Sequence, residues 1–439
     1  MKLIDAPGGL LSALAQAPLT EQRGRLVGAV GTTIRARGLR GRIGDTVEIV
    51  DAERGTPLMA EIVGLADGEL LLTPLGELRG LSPTAEVVLR PSNSLVPIGP
   101  ALLGRVVDAH CRPLDGRGAI ARDQVRALDA RAPDPMTRAP VDQVLETGVR
   151  AIDGLLTLGR GQRVGVFAGA GGGKSTLLAM LARQTRADAI VIALIGERGR
   201  EVREFVEEVL GPEGLARSTI VVATSDRPAM ERVRAAQVAT AIAEGLRDQG
   251  RHVLLLMDSV TRYARALREI GLAAGEPAVR RGFPPSVFAE LPRLFERAGN
   301  GVVGGITGIY TVLLEEEDGD PIGEEVRSLL DGHIHLSRAL GARGHYPAVD
   351  IGGSLSRLFP TLASATQAQA ARRVRAMLAK LADIELLLQL GEYRAGQDRL
   401  ADVAIAQREA IDSFLRQDAG TATPYSTTVA MLRGLDPDG

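Results

Sequence analysis

Between residues 21 and 94, apolar and polar positions alternate in short runs at 25–30, 32–36, 45–50, 58–63, 69–73 and 86–90. Turn residues separate these runs at intervals of roughly 8 to 12 residues, so the segment predicts a small all-β barrel. Pro91, Pro97 and Pro100 then mark a linker. A strand leading into a turn is predicted at 102–115, followed by a polar, proline-containing stretch at 130–141. Beyond that the pattern changes. Unbroken apolar runs at 164–168, 189–195, 219–223, 253–257 and 308–314 alternate with helical spacing at 201–210, 230–246 and 261–270. Strands that are apolar throughout imply a parallel sheet covered on both faces, an α/β fold. After Pro360 helical spacing resumes at 367–390, 400–415 and 426–432, predicting a helical C-terminal domain. The expected organisation is therefore a leader (1–20), a β-barrel (21–94), an α/β core (95–361) and a helical domain (362–439).

Composition narrows the classes. With 439 residues there is ample material for several domains, and a net charge of -2 gives no global field toward nucleic acid or an anionic membrane. Cys111 stands alone, so no disulfide framework exists within the chain and a reducing compartment is expected. Prolines and glycines interrupt the N-terminus, which reads as neither signal peptide nor spanning helix. Residues 10–15 (LLSALA) either begin an amphipathic surface helix or belong to a frayed terminus.

The chemistry centres on residues 163–178, RVGVFAGAGGGKSTLL: an apolar strand, a glycine cluster, and a helix opened by Lys174, Ser175 and Thr176. Gly169, Ala170, Gly171, Gly172 and Gly173 form a loop whose backbone N–H groups turn inward around phosphate oxygens, next to the partial positive charge of a helix N-terminus. Lys174 is placed to reach β- and γ-phosphates and Ser175 to ligate Mg²⁺, so ATP and Mg²⁺ are the expected cofactors. The strict pattern has glycine six residues before the lysine, where this chain has Ala168. Lysine is otherwise almost absent: Lys2 and Lys380 are its only companions in an arginine-rich chain, which marks Lys174 as a position requiring a compact point charge.

Residues 252–258 (HVLLLMD) form an apolar run closing on a carboxylate. Set beside the phosphate-loop strand, Asp258 would hold Mg²⁺ together with Ser175; the alternative is a strand-end cap. Glu197 follows another candidate strand, where ligands collect in such sheets, and can deprotonate the attacking water. Its alternative is a surface carboxylate paired with Arg198 or Arg200. Tyr346 offers a ring for adenine or for ordinary packing. Arg357 is either a surface ion-pair partner or, if subunits form a ring, a finger reaching a neighbour's γ-phosphate.

Five segments occur in one order: GERGREV (196–202), MDSVTRYARALREIGLAAGEP (257–277), RRGFPPSVFAELPRLFERAG (280–299), DGHIHLSR (331–338) and HYPAVDIGGSLSR (345–357). Together they resemble the hexameric ATPases of type III secretion systems, relatives of the catalytic subunits of rotary ATP synthases. The resemblance covers most of 141–357 and implies a RecA-like core and a homohexamer with ATP bound between subunits. It further implies Glu197 as catalytic carboxylate, Arg198 near the γ-phosphate, Tyr346 at adenine and Arg357 as the finger from the adjacent protomer. The family loop usually reads AGSGVGKS, so Ala170 and Gly172 depart from it, and the added glycine is expected to loosen the loop.

Within that family, residues 385–396 (ELLLQLGEYRAG) resemble the injectisome members more than the flagellar export ATPases, many of which carry GAY where this chain has Gly391, Glu392 and Tyr393. Either implies ATP hydrolysis that strips chaperones from export substrates and unfolds them. The implied partners are further copies of the chain, chaperones, substrates, and stalk and regulator proteins. The implied location is cytoplasmic, peripheral at the inner face of the bacterial inner membrane. Arg280 and Arg281, in residues 275–286, would then lie near a central pore. Other readings remain: an ATP synthase catalytic subunit, whose GERTREG-like segment differs from GERGREV; a module that uses nucleotide as a switch; and an RNA-translocating hexamer. The last needs an aromatic RNA platform, and residues 21–94 contain no Phe, Trp or Tyr.

Overall fold

The computed structural model describes residues 21–90, 95–169, 171–314 and 319–436. The leader at 1–20 and Ala170 lie outside the described residues. Among the described residues there are two compact units: 21–90 cluster with Ile270–Glu276, and Leu95–Glu269 cluster with the described residues from Pro277 onward.

In the first unit, six strands close into a barrel. β1 (Arg23–Val30), β2 (Thr33–Arg37), β3 (Thr46–Val50), β4 (Leu58–Ala66), β5 (Glu69–Pro74) and β6 (Glu86–Arg90) pair in the order β1-β2-β5-β4-β3-β6, and β6 returns to β1. Alternation decides which side chains fill it. Ile34 and Ala36 on β2, Val47 and Ile49 on β3, Ala60 and Ile62 on β4 and Leu72 on β5 are fully buried. The intervening Arg35 and Arg37 remain outside, where both pair with Glu69. The barrel predicted from six alternating runs is therefore present.

The second unit is built on a nine-stranded sheet. Its main path uses β7 (Arg105–Asp108), β8 (Arg163–Ala168), β9 (Ala189–Ile195), β10 (Ser218–Ala223), β11 (His252–Asp258), β12 (Gly305–Leu313), β13 (Gly332–Leu336) and β14 (Val349–Ser356). The order is β14-β13-β8-β12-β11-β9-β10-β7, and the short strand Gly299–Asn300 pairs with β12. Pairing along this path is parallel except for the edge strand β14, which runs antiparallel to β13. Every residue of β9, β10 and β11 is buried, as expected of strands covered on both faces. One expectation needs correcting. The Asp258 strand does not lie beside the phosphate-loop strand: β12 is inserted between β8 and β11. β13 and β14 were not anticipated either, because their polar histidines, serines and glycines break up the apolar run.

The C-terminal helices Ala365–Leu390, Arg399–Leu415 and Tyr425–Gly434 match the predicted spans, with ends fixed by local chemistry. Ser364 accepts from the Gln367 N–H to cap the first, and Gly391 closes it at φ +70°. Asp398 caps the second through the N–H groups of Leu400 and Ala401. Val374, Met377, Phe414 and Leu432 share one buried cluster with Ile152 and Leu155, so these helices are packed onto the α/β core.

Candidate active site

Parallel strands that end together leave their C-terminal edge open to a ligand. Ala168 aligns with Leu313, Tyr310 with Met257, and Asp258 with Leu194, so β8, β12, β11 and β9 deliver their last residues to one edge. The glycine loop joins β8 to α1 (Lys174–Gln184) there. Gly171 and Gly173 have φ of +77° and +79°, which L side chains rarely adopt. Gly172 is not in that region; a Cβ there would meet the Gly169 carbonyl oxygen at 3.2 Å. Two side chains press on the loop. A Cβ on Gly173 would come within 3.0 Å of the Tyr346 ring, and one on Gly169 within 3.1 Å of Arg338 Nε.

Lys174 Nζ stands 2.6 Å from Asp258 Oδ1 and 3.3 Å from Glu197 Oε1. Thr311 Oγ1 donates to the same Asp258 oxygen at 2.7 Å. The other Glu197 oxygen, Oε2, faces Arg262 Nη1 at 2.9 Å, and this guanidinium also donates to the Gly196 carbonyl. Arg262 lies in the first turn of the helix Val260–Ala273, which follows β11 directly. Two carboxylates and two cations thus balance in a site where Lys174, Glu197 and Asp258 side chains are 15%, 9% and 8% exposed. Charge-assisted hydrogen bonds of this kind hold such groups in place when water is scarce.

They face a cavity of about 590 Å³, a suitable size for a nucleotide. Gly169, Gly171, Gly172, Gly173, Lys174, Ser175, Thr176, Glu197, Asp258, Arg262 and Tyr346 line it, with an apolar wall of Leu194, Val202, Phe205, Val209 and Leu313 and two further carboxylates, Glu201 and Glu204, adjacent in sequence to that wall's Val202 and Phe205. The Ser175 hydroxyl and the Asp258 carboxylate are both hard oxygen donors on the cavity wall, so the donor set fits Mg²⁺.

Two predicted residues are elsewhere. The Arg198 side chain is 80% exposed, stands 3.6 Å from Glu201 and does not line the cavity. Arg357 is exposed immediately after β14; its N–H donates to Asp331 O at 3.0 Å. Because β14 is antiparallel and Ser356 aligns with Gly332, Arg357 sits at the start of β13, a strand's length from the glycine loop. Sequence reasoning missed Arg262, Thr311 and Arg338. Arg262 falls four residues after Asp258 in sequence but pairs with Glu197, so no local signal marked it.

Residues 148–356 match the nucleotide-binding domain of the ATP synthase alpha/beta family, and residues 363–434 match the C-terminal domain of the type III secretion EscN ATPase. A type 3 secretion system ATPase of Sinorhizobium fredii is 53% identical over 414 residues, 94% of this chain and 92% of the relative. The structure of the assembled ATPase EscN from the enteropathogenic E. coli type III secretion system superimposes with a TM-score of 0.89 at 47% identity, covering 94% of this chain and 99% of that one. EscN in complex with its central stalk EscO gives 0.87 at 46% identity, covering 94% and 99%. With its phosphate loop, paired carboxylates and helical C-terminal domain, the chain belongs to the family of type III secretion system ATPases.

Proposed function

We propose that this chain is the ATP-hydrolysing motor of a type III secretion system, working as a homohexamer whose active sites are each completed by the neighbouring copy. The observation that carries the reading is the separation of Arg357 from the cluster of Lys174, Asp258, Glu197 and Arg262. An exposed arginine a strand's length from its own phosphate loop is suited to a second protomer's site, not its own.

In this reading the substrate's phosphates enter the glycine loop and Lys174 exchanges its carboxylate contacts for the β- and γ-phosphates. Glu197, held at Oε2 by Arg262, takes a proton from water as the water oxygen attacks the γ-phosphorus and the bond to the β–γ bridging oxygen breaks. Ser175 and Asp258 would hold Mg²⁺, which would supply neutralisation of the phosphate charge. Tyr346 receives adenine, and the partner protomer's Arg357 meets charge developing on the transferred group. Arg198 approaches the γ-phosphate only if its exposed side chain swings inward from Glu201.

The same reading assigns the output. ATP turnover releases chaperones from export substrates and unfolds those substrates, with the C-terminal helices facing cargo or a stalk. Support for a stalk comes from the complex of EscN with EscO. The proposed location is the cytoplasm, against the inner face of the inner membrane; among the described residues no helix is long and apolar enough to cross a membrane.

Mixing inactive variants tests the shared site. Arg357→Ala and Glu197→Gln are each expected to lose turnover, and an equimolar mixture assembled together is expected to regain about a quarter of the wild-type rate, since neighbours then complement each other. A mixture as inactive as its components overturns the reading.

A further inference from the structure

Tyr346 lies in a loop between β13 and β14, and three contacts fasten that loop to the C-terminal domain; the first, Arg343 with Glu385 on the helix Ala365–Leu390, is long at 3.7 Å and exposed. His345 Nδ1 stands 3.1 Å from Asp412 Oδ1, on the helix Arg399–Leu415. One residue on, the carbonyl oxygen of Tyr346 accepts from the Gln417 N–H at 2.9 Å. Gln417 is itself pinned: its Oε1 accepts from the Arg150 N–H and its Nε2 donates to the Gly148 and Thr421 carbonyls. The backbone contact is therefore held by a rigid neighbour, whereas the His345 contact depends on one side chain.

Packing does not replace that contact. His345, Asp412, Leu340, Val349, Arg375 and Leu378 line a cavity of about 420 Å³, so part of the His345 surroundings is open space. A side chain bordering a void lacks close neighbours on that side to fix its orientation, which leaves its polar partner to do so. Burial lowers the His345 pKa, Asp412 opposes that shift and Arg416 adds to it. Among the described residues Asp412 also pairs with Arg416, at 3.0 Å.

We infer that Asp412 is a positioning residue for nucleotide binding: through His345 it holds the Tyr346 ring over Gly173, where adenine is received. The inference rests on the reading of Tyr346 as the adenine platform. It makes the C-terminal helical domain a direct determinant of nucleotide affinity in the same protomer.

The test compares steady-state ATP hydrolysis and fluorescent-ADP binding in the full-length protein. Asp412→Ala is expected to raise KM and the ADP Kd about fivefold with kcat within about twofold, the scale of one lost hydrogen bond. Asp412→Asn, which still accepts from the imidazole, restores both. Arg416→Ala, which spares the His345 contact, leaves both unchanged. In a Tyr346→Ala background Asp412→Ala adds nothing, because the positioned ring is gone. An unchanged KM and Kd in Asp412→Ala, or additive effects in the double variant, overturns the inference. Unchanged nucleotide affinity in Tyr346→Ala instead removes the adenine reading on which it rests. ADP binding needs no turnover, so a variant impaired in assembly still reports.

Discussion

Lys174 Nζ and Asp258 Oδ1 meet at 2.6 Å although their strands are not neighbours and 84 residues separate them in sequence. The contact is possible because β8, β12 and β11 all end at the same edge of the sheet, with β11 ending about two residues short of β12, so the lysine in the first turn of the helix after β8 reaches across to Asp258. Its removal leaves Asp258 and Glu197 facing each other with one cation fewer. Lys174→Ala is expected to lower ATP turnover at least about a hundredfold, and Lys174→Arg to recover little, since a planar fork does not replace a compact ammonium. Phosphate release at saturating ATP measures both, and near-wild-type turnover in Lys174→Ala would refute the assigned role.

Arg262 is the second cation of the cluster, and Gly196 makes room for it. Gly196 has φ +70°, and a Cβ there would meet Arg262 Cδ at 2.8 Å. Gly196→Ala therefore strains the backbone and displaces the guanidinium from Glu197 at once. Arg262→Ala frees Glu197 Oε2, and each substitution is expected to reduce kcat by about ten- to a hundredfold. A double variant close to the worse single one identifies a shared mechanism, while multiplied losses separate them.

Much of this arrangement was legible in the chain. Six alternating runs specified the barrel because each strand has one buried face, and unbroken apolar runs specified β8 to β12 because both faces are covered. The C-terminal helices were legible from their spacing, whereas the caps that end them, Ser364, Asp398 and Gly391, were not read from the chain. What could not be read was order across the sheet: nothing local in 252–258 says that β12 separates it from β8, since β-strand neighbours are chosen by long-range packing. Arg262 and Thr311 were hidden for the same reason. Each contributes through one hydrogen bond to a carboxylate that only the fold brings near.

Cys111 gives a simple probe of the native state. It is buried, and burial pushes its thiol up to about 12. The thiolate is the reactive form, so at pH 8 the folded protein is expected to resist alkylation for as long as it remains folded, and denaturant to make the thiol reactive within minutes. Mass spectrometry after iodoacetamide treatment reads both. Rapid labelling without denaturant would show that the turn around Cys111 opens readily.

Asp153 predicts how stability responds to pH. It lies in the helix Arg150–Leu155, fully buried, where Oδ1 accepts from the N–H and hydroxyl of Thr147 and Oδ2 from the Gly148 N–H. Burial outweighs these bonds and pushes the carboxyl up to about 7, against an ordinary carboxylate near 4 in the unfolded chain. Between those values the folded protein binds more protons than the unfolded one. The contribution of this group is therefore fully present below about pH 4 and is lost as pH rises through about 7, after which it stays constant. Asp153→Asn cannot titrate and has no such slope. The melting temperature of wild type relative to Asp153→Asn is thus expected to fall from pH 5 to pH 8 and then level off, whatever constant offset the amide introduces. Gln367 Nε2 donates to the Asp153 and Gly154 carbonyls, so the affected region is the joint with the C-terminal helices, and hydrogen exchange should loosen there first. A difference in melting temperature that does not vary with pH would mean that Asp153 titrates alike in both states.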